Sequence, residues 1–348
     1  MSPKTYRRRL DIRNGRIDLS HGSGGRAMTQ LIGEVFHEAL DNEWLRRGND
    51  QAAFDIASGR MVMTTDAYVV SPLFFPGGDI GSLAVNGTIN DIAVGGARPR
   101  YLSASFIIEE GFPLADLQRI ADSMGAAARS AGVPVVAGDT KVVERGKADG
   151  VFICTTGVGA VLDGLDPSAE KARPGDLVIL SGTIGDHGVA VMSRRQNLTF
   201  DTDLVSDSAP LHGLVAAMVE AGGRDLRVMR DPTRGGLAAM LNELAHQSRV
   251  GFQIKEEAIP VKPQVAAACE LLGLDPLYVA NEGKLVAVVA PATAETVLTA
   301  MRAHPLGRDA AIIGAVIADD RRFVQMTTEF GGGRMIDWLS GEQLPRIC

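Results

Sequence analysis

The feature that most constrains this chain is an alternation of short apolar runs with helical segments, repeated in two series. RMVMTTDAYVV reads as a strand and GSLAVNGTINDIAVGG as a glycine-bounded helix. RYLSASFII is a second strand, and LADLQRIADSMGAAARSAG a long helix ended by Gly132. VPVVAGDT and GVFICTTGVGAVL complete the first series. The polar stretch LDPSAEKARPGD, near 166–176, separates it from the second. There DLVILSG, KLVAVVA and AAIIGAVI read as strands, and HGVAVMSRR, LHGLVAAMVEAG, VAAACELLGL and TAETVLTAMRAH as helices. RDPTRGGLAAMLNELAHQS is expected to be a helix capped by Asp231, with Pro232 at its first position. Ahead of both series, one amphipathic helix carries Leu31, Ile32, Val35, Phe36 and Leu40 at helical spacing. The pattern predicts an α/β (α+β) chain.

A length of 348 residues favours two domains, and a hydrophobic share of 45% can fill two cores. The divisions expected are a segment 1–50 with a glycine-rich loop and helix, an N-terminal domain 51–166, a C-terminal α/β domain 167–330 and a flexible tail 331–348. No apolar run approaches the roughly 20 residues that span a bilayer. The basic start MSPKTYRRRL has no apolar stretch behind it, which makes the cytoplasm the expected location and a membrane partner unexpected. A net charge of -7 argues against general nucleic-acid binding, and Arg7, Arg8 and Arg9 read as a solvated run.

Cys154, Cys269 and Cys348 are too widely spaced for a disulfide framework or a zinc pattern. The first two read as small core residues in a buried strand and a helix. Cys348 ends the sequence. RRFVQMTT is expected to be the last strand, and Gly331, Gly332 and Gly333 a hinge. The fifteen residues beyond Gly333 can extend about 50 Å, enough to deliver the chain end to a distant cleft. Composition alone reads such an end as frayed.

Asp66, Asp91 and Asp139 stand where apolar elements give way to polar loops, a setting that suits Mg²⁺ bridging ATP phosphates. Asn86 and Asn90, four residues apart, share a helix face beside Asp91. In HGSGG, backbone N–H groups around Gly24 and Gly25 can wrap a phosphate, although no Walker lysine follows, and His21 reads more readily as a cap than as a catalyst. Asp139 and Thr140 form a polar strand end, with Lys141 on the same side as Asp139 and able to neutralise developing charge. Glu282, at a strand entrance in VANEGKLVAVV, is a candidate general base.

Together, the run TTDAYVVSPLFFPGGDIGSLAVNGTINDIAVGGARPRYLS, AGDTKVVERGKADGVFICTTGVG, RDPTRGGLAAMLNELA, LGLDPLYVANEGKLVAVV and the ending PRIC resemble the HypE family of hydrogenase maturation factors. The resemblance runs from HGSGG to Cys348. It implies the two-domain aminoimidazole ribonucleotide synthetase-like (PurM-like) fold and a homodimer paired through the N-terminal domains. It implies ATP bound near that pairing, with Mg²⁺ on Asp66, Asp91 and Asp139. It further implies that the carbamoyltransferase HypF loads a carbamoyl group onto the Cys348 thiol. ATP then drives its dehydration to a cyano (thiocyanate) group, which passes to iron on a HypC–HypD complex for nickel–iron hydrogenase. Glu282 would be the proton acceptor and Lys141 the stabiliser of the amide oxygen or phosphate, or the two roles are exchanged.

Two other readings compete. A selenophosphate synthetase-like enzyme needs a reactive cysteine near its N-terminus, and no cysteine precedes Cys154. A non-enzymatic thiol carrier would need none of the phosphate-type aspartates.

Overall fold

The strand-forming runs of the first series assemble into one four-stranded sheet. The computed structural model describes residues 9–22, 26–46, 54, 59–196, 204–339, 344 and 346–348. Arg7, Arg8, Gly24 and Gly25 therefore lie outside the described residues, while Arg9 is exposed. The amphipathic stretch forms α1 (Arg26–Leu31), a π-helical turn (Ile32–His37) and α2 (Glu38–Leu40), followed by α3 (Glu43–Arg46). Its periodicity holds: Leu31, Val35 and Phe36 are buried, and half-buried Ile32 and Leu40 pack against the same core.

The sheet contains β1 (Met61–Tyr68), β4 (Ala97–Glu109), β5 (Val135–Val143) and β6 (Val151–Val161), in the order β1-β6-β4-β5. Only β4 and β5 are parallel. A short hairpin of β2 (Phe74–Phe75) and β3 (Gly78–Asp79) leads into α4 (Ile80–Val94), which with α5 (Leu114–Ala131) covers one face. The Asp79 carboxylate accepts the Gly81 and Ser82 N–H groups at 2.7 and 3.1 Å and fixes the start of α4. Gly87 lets this helix approach the sheet, since a Cβ there would stand 2.3 Å from the Tyr68 hydroxyl. The opposite face exposes Met63 and Ile107. Cys154 belongs to that open side, half-buried, with Sγ 3.6 Å from the Thr65 hydroxyl, and is not the core residue expected. The reason is β6 alternation: Ile153 and Thr155 take the inward positions.

The chain then builds a seven-stranded mixed sheet, ordered β13-β12-β9-β11-β7-β10-β8. Its strands are β7 (Leu177–Leu180), β8 (Leu226–Arg230), β9 (Gly251–Lys255), β10 (Val286–Val289), β11 (Ala311–Ile317), β12 (Val324–Thr327) and β13 (Gly333–Ile336). Its helices are α6 (Asp186–Arg195), α7 (His212–Gly222), α8 (Gly236–Ser248), α9 (Pro263–Leu272) and α10 (Ala294–Ala303). β7 and β10 are apolar on both sides because both faces are covered. Val178, Leu180, Val286 and Val288 pack with α8, whereas Ile179, Ala287 and Val289 pack with α7 and α10. Cys269 is buried on α9.

Three local expectations are corrected. β12 is not the last strand: β13 pairs antiparallel with it. The Thr328 N–H and hydroxyl both bond the Gly332 carbonyl, so Gly331–Gly333 turn a hairpin instead of forming a free hinge. Asp231 does not cap α8, which starts at Gly236 after Gly235 in the left-handed region (φ 75°). Gly236 itself (φ 62°) lies against the Leu277 and Val279 carbonyls, which leave no room for a side chain and push the helix start beyond Asp231 and Pro232.

Candidate active site

The two sheets meet where α4 ends. Ala93 and Val94 belong to the second domain's core, while Val191, Met192, Ala280 and Ile347 join the first. The cleft at this junction collects carboxylates from distant parts of the chain. Strand alternation turns Thr64 and Asp66 toward α4, and the Thr64 hydroxyl donates to Asp91 at 2.8 Å. Asp231 follows β8 and reaches the same cleft, which Thr65, Arg230, Thr233 and Arg234 also line. Arg230 pairs with Glu243 at its edge.

The electrostatics follow from this crowding. Burial, then the charge of Asp66, raises the Asp91 carboxyl, while the Thr64 hydrogen bond opposes the shift. Burial and the neighbouring Asp91 push Asp231 up to about 7. Glu282, 4% exposed, is raised well above the usual carboxylate range, first by burial and then by Asp231, Asp207, Asp66 and Asp91. Its Oε1 is buried without a hydrogen-bond partner among the described residues. An unpaired buried carboxyl oxygen is costly and is kept where a function needs it.

Cys348 is close enough to feel these groups. Burial, then Glu282, drives its thiol pKa upward, against the favourable charge of Arg234. The terminal residues lie in the cleft of their own chain: Ile347 is 4% exposed, and a Cys348 terminal oxygen accepts the Val69 N–H at 3.1 Å. The docked thiol is thus held protonated, beside a carboxyl that is itself reluctant to ionise.

The other sequence candidates separate. Asn90 is fully engaged: its amide donates to the Ala209 and Glu282 carbonyls at 3.1 and 3.0 Å and accepts the Leu211 N–H at 2.7 Å. It therefore clamps α4 to the backbone that carries Glu282. Asn86 donates to the Ser208 hydroxyl at 3.2 Å. Asp139 and Lys141 pair with each other at 3.1 Å on the exposed side of edge strand β5. Asp139 is three strand spacings, roughly 14 Å, from the Asp66 position and in line with Cys154 and Ala67. One chain alone does not bring Asp139 or Lys141 to Asp66, Asp91, Glu282 or Cys348. Thr140 is buried, and with Asp139 it borders an apolar depression lined by Met28, Ile32, Phe36 and Phe106. His21 is a local cap whose Nδ1 accepts the Asp18 N–H at 3.1 Å.

Asp231 was missed by sequence reasoning as a site residue, and so was Asp207, which accepts the Glu282 N–H at 3.1 Å and pairs with Lys284. The available signal for Asp231 was an Asp-Pro directly after the apolar run LRVMR. Asp207 has no comparable signal.

The donor set fits a divalent cation of the magnesium type. Asp66, Asp91 and Asp231 repel one another, so a cation relieves a cost already present. Among the described residues no group of three or more acidic, histidine or cysteine side chains has converged as a ready-made cage. That suits an ion taking one or two carboxylates, with phosphate and water oxygens completing its shell.

Comparison with known proteins identifies the family. The family profile "AIR synthase related protein, N-terminal domain" matches residues 48–161, and "AIR synthase related protein, C-terminal domain" matches 173–327. Carbamoyl dehydratase HypE of Rhizobium leguminosarum bv. viciae is 74% identical over 348 residues, covering 100% of this chain and 99% of the relative. The crystal structure of hydrogenase maturation protein HypE in complex with ATP superposes with a TM-score of 0.91 at 50% identity, covering 95% of this chain and 99% of that one. A chain in the crystal structure of a HypE–HypF complex superposes with a TM-score of 0.78 at 51% identity, covering 89% and 99%. The two sheets are thus the two domains of the aminoimidazole ribonucleotide synthetase-like fold, and the chain belongs to the carbamoyl dehydratase HypE family.

Proposed function

We propose that the chain uses ATP to dehydrate a carbamoyl group carried on the Cys348 thiol to a cyano group, for nickel–iron hydrogenase maturation. The observation that carries this reading is the terminal cysteine lying in a cleft beside buried Glu282, next to Asp66, Asp91 and Asp231. An amide oxygen is a poor leaving group. Transfer of the γ-phosphoryl group of ATP to it, with loss of one N–H proton, gives an O-phosphorylated imidate. Loss of the second N–H proton expels phosphate and leaves the carbon–nitrogen triple bond. The carbamoyl oxygen departs in phosphate, so the balance is one carbamoyl group and ATP to one cyano group, ADP and phosphate.

Glu282 is assigned the proton transfers, because a carboxyl raised by burial and neighbouring charge becomes a stronger base once ionised. Cys348 acts as the handle that carries the substrate; its raised pKa keeps it from being a nucleophile in the cleft, so loading by HypF belongs to an exposed tail. Asp66 and Asp91, with Asp231, are the residues that would hold Mg²⁺, which when bound neutralises phosphate charge. Asp139, Thr140 and Lys141 are assigned to the nucleotide as well. Within one chain they are remote from Glu282, so the assignment requires a second copy, paired through the open sheet face that carries Met63 and Ile107. Gly24 and Gly25 in HGSGG would add backbone N–H groups to the phosphates. Transfer of the cyano group to a HypC–HypD complex and a cytoplasmic setting complete the reading; among the described residues no helix is long and apolar enough to cross a membrane.

The test is mass measurement of the C-terminal peptide after carbamoylated protein meets Mg-ATP. Loss of one water on Cys348, with formation of ADP and phosphate, is the expected result. An unchanged peptide in a preparation that binds ATP sinks the proposal. ATP consumption that persists without Cys348 would favour a selenophosphate synthetase-like activity, and absence of any consumption a carrier.

A further inference from the structure

The last residues are held by contacts that the chemistry above does not use. Beyond β1 the chain continues through Val69 to Ser71, and the tail lies antiparallel to it. The Val69 N–H donates to a Cys348 terminal oxygen at 3.1 Å, and the Ser71 N–H donates to the Arg346 carbonyl at 3.0 Å. Two backbone hydrogen bonds thus hold the tail without forming a β-ladder, so the contact does not depend on side-chain identity. Helix α6 holds the other side from its two ends. His187, fully buried in its first turn, directs Nε2 to the Ile347 carbonyl at 2.8 Å, while Nδ1 meets the Ser206 hydroxyl at 2.8 Å. Arg195, its last residue, donates to the Arg346 carbonyl at 2.8 Å and to the Ser71 carbonyl at 2.8 and 2.5 Å. The Arg346 side chain donates to the Val69 carbonyl at 3.1 Å and pairs with Asp149.

Every backbone carbonyl from Arg346 to Cys348 is therefore taken, and none of these bonds touches the thiol. We propose that His187 and Arg195 are positioning residues that latch the tail by its backbone and thereby set the Cys348 thiol in the cleft, whatever group the thiol carries. The latch deepens the dehydration reading and rests on it for its purpose. Its geometry also explains how one tail serves successive states. Bare, carbamoylated and cyanated thiols present the same carbonyls, so all three dock in one register. Opening α6 from the tail is then the step common to loading and delivery. The Ile347 carbonyl can only accept, so Nε2 carries the hydrogen, and in the neutral ring Nδ1 accepts from the Ser206 hydroxyl.

The experiment is alkylation of the full-length protein with N-ethylmaleimide, read cysteine by cysteine by peptide mass. Arg195→Ala and His187→Ala are each expected to label Cys348 about tenfold faster than the parent chain, the factor for one or two lost hydrogen bonds. Cys269, buried on α9, must stay protected in both and so reports that the fold is intact. His187→Gln keeps a side-chain N–H donor and is expected to restore slow labelling. In turnover, Arg195→Ala should lower kcat for dehydration and leave KM for ATP unchanged. Cys348 labelling at the parental rate in Arg195→Ala, with Cys269 protected, overturns the latch, as does His187→Gln labelling as fast as a folded His187→Ala. Should His187→Ala expose Cys269, Arg195→Ala alone decides. Alkylation needs neither ATP nor a carbamoyl group, so failure of the latch and failure of the dehydration reading are distinguishable.

Discussion

Glu282 combines an unpaired buried oxygen with a strongly raised pKa, and its neighbours explain both. Three of the four carboxylates that raise it belong to the candidate cation site, so a cation bound there would lower the Glu282 pKa. Glu282→Gln preserves shape and the neutral state; it is expected to lower kcat by roughly two to four orders of magnitude while ATP affinity, measured by calorimetry, stays near the parental value. A variant that turns over normally would return the proton acceptor's role to another group. Asp91→Ala removes both a proposed ligand and a repulsive charge. Mg-ATP binding by this variant should weaken about tenfold or more, and the stabilisation that Mg²⁺ gives in thermal melts should shrink with it. Full affinity would remove Asp91 from the cation site. Periodicity and element ends brought out Asp66, Asp91 and Glu282, but Asp231 read as a helix cap. The difference lies in two left-handed glycines that delay α8 and free the aspartate for the cleft.

At the scale of elements, α4 does the most to place the site. One side of it contacts Tyr68 through Gly87, and its end clamps the second domain through Asn90. Asn90→Ala forfeits three hydrogen bonds and should cost about 3 kcal/mol, read by chemical denaturation, with a loss of turnover beyond the loss of stability because Glu282 is no longer held. Helix α6 offers a pH signature. His187 has its pKa lowered by burial, which outweighs the Asp207 charge and the Ile347 carbonyl. The unfolded imidazole binds a proton near 6.5, whereas the folded one resists it. Unfolding therefore takes up protons below that value, and stability falls as pH drops from about 6.5 through the lowered folded pKa. Thermal melts between pH 7 and 5.5 should fall less steeply in His187→Gln than in the parent; equal slopes would mean that His187 is not the responsible group.

The whole molecule is two large sheets joined at a cleft; on the outer face of the smaller one, Trp44 and Phe54 pack against Tyr101, and Met63 and Ile107 stay exposed. Met63 is 72% exposed there and Ile107 44%. If that face pairs two copies, the parent sediments as a dimer and Ile107→Glu as a monomer; a monomeric parent would leave Asp139 and Lys141 without a route to the nucleotide. The amino-acid sequence by itself determined the strand and helix periods, the Gly132 helix end, the acidic and glycine-rich segments and the resemblance carried by its motifs. These depend on neighbours within a few residues, which a linear reading sees. Only the tertiary structure decided that Asp231 joins Asp66 and Asp91, that Asn90 is spent on the backbone and that Cys154 faces outward. It alone also brought the tail to rest on Val69, His187 and Arg195. The side Cys154 takes is set by the pairing of β6 within one sheet; the others depend on how two separately packed sheets meet, and all are set by contacts between residues far apart along the chain.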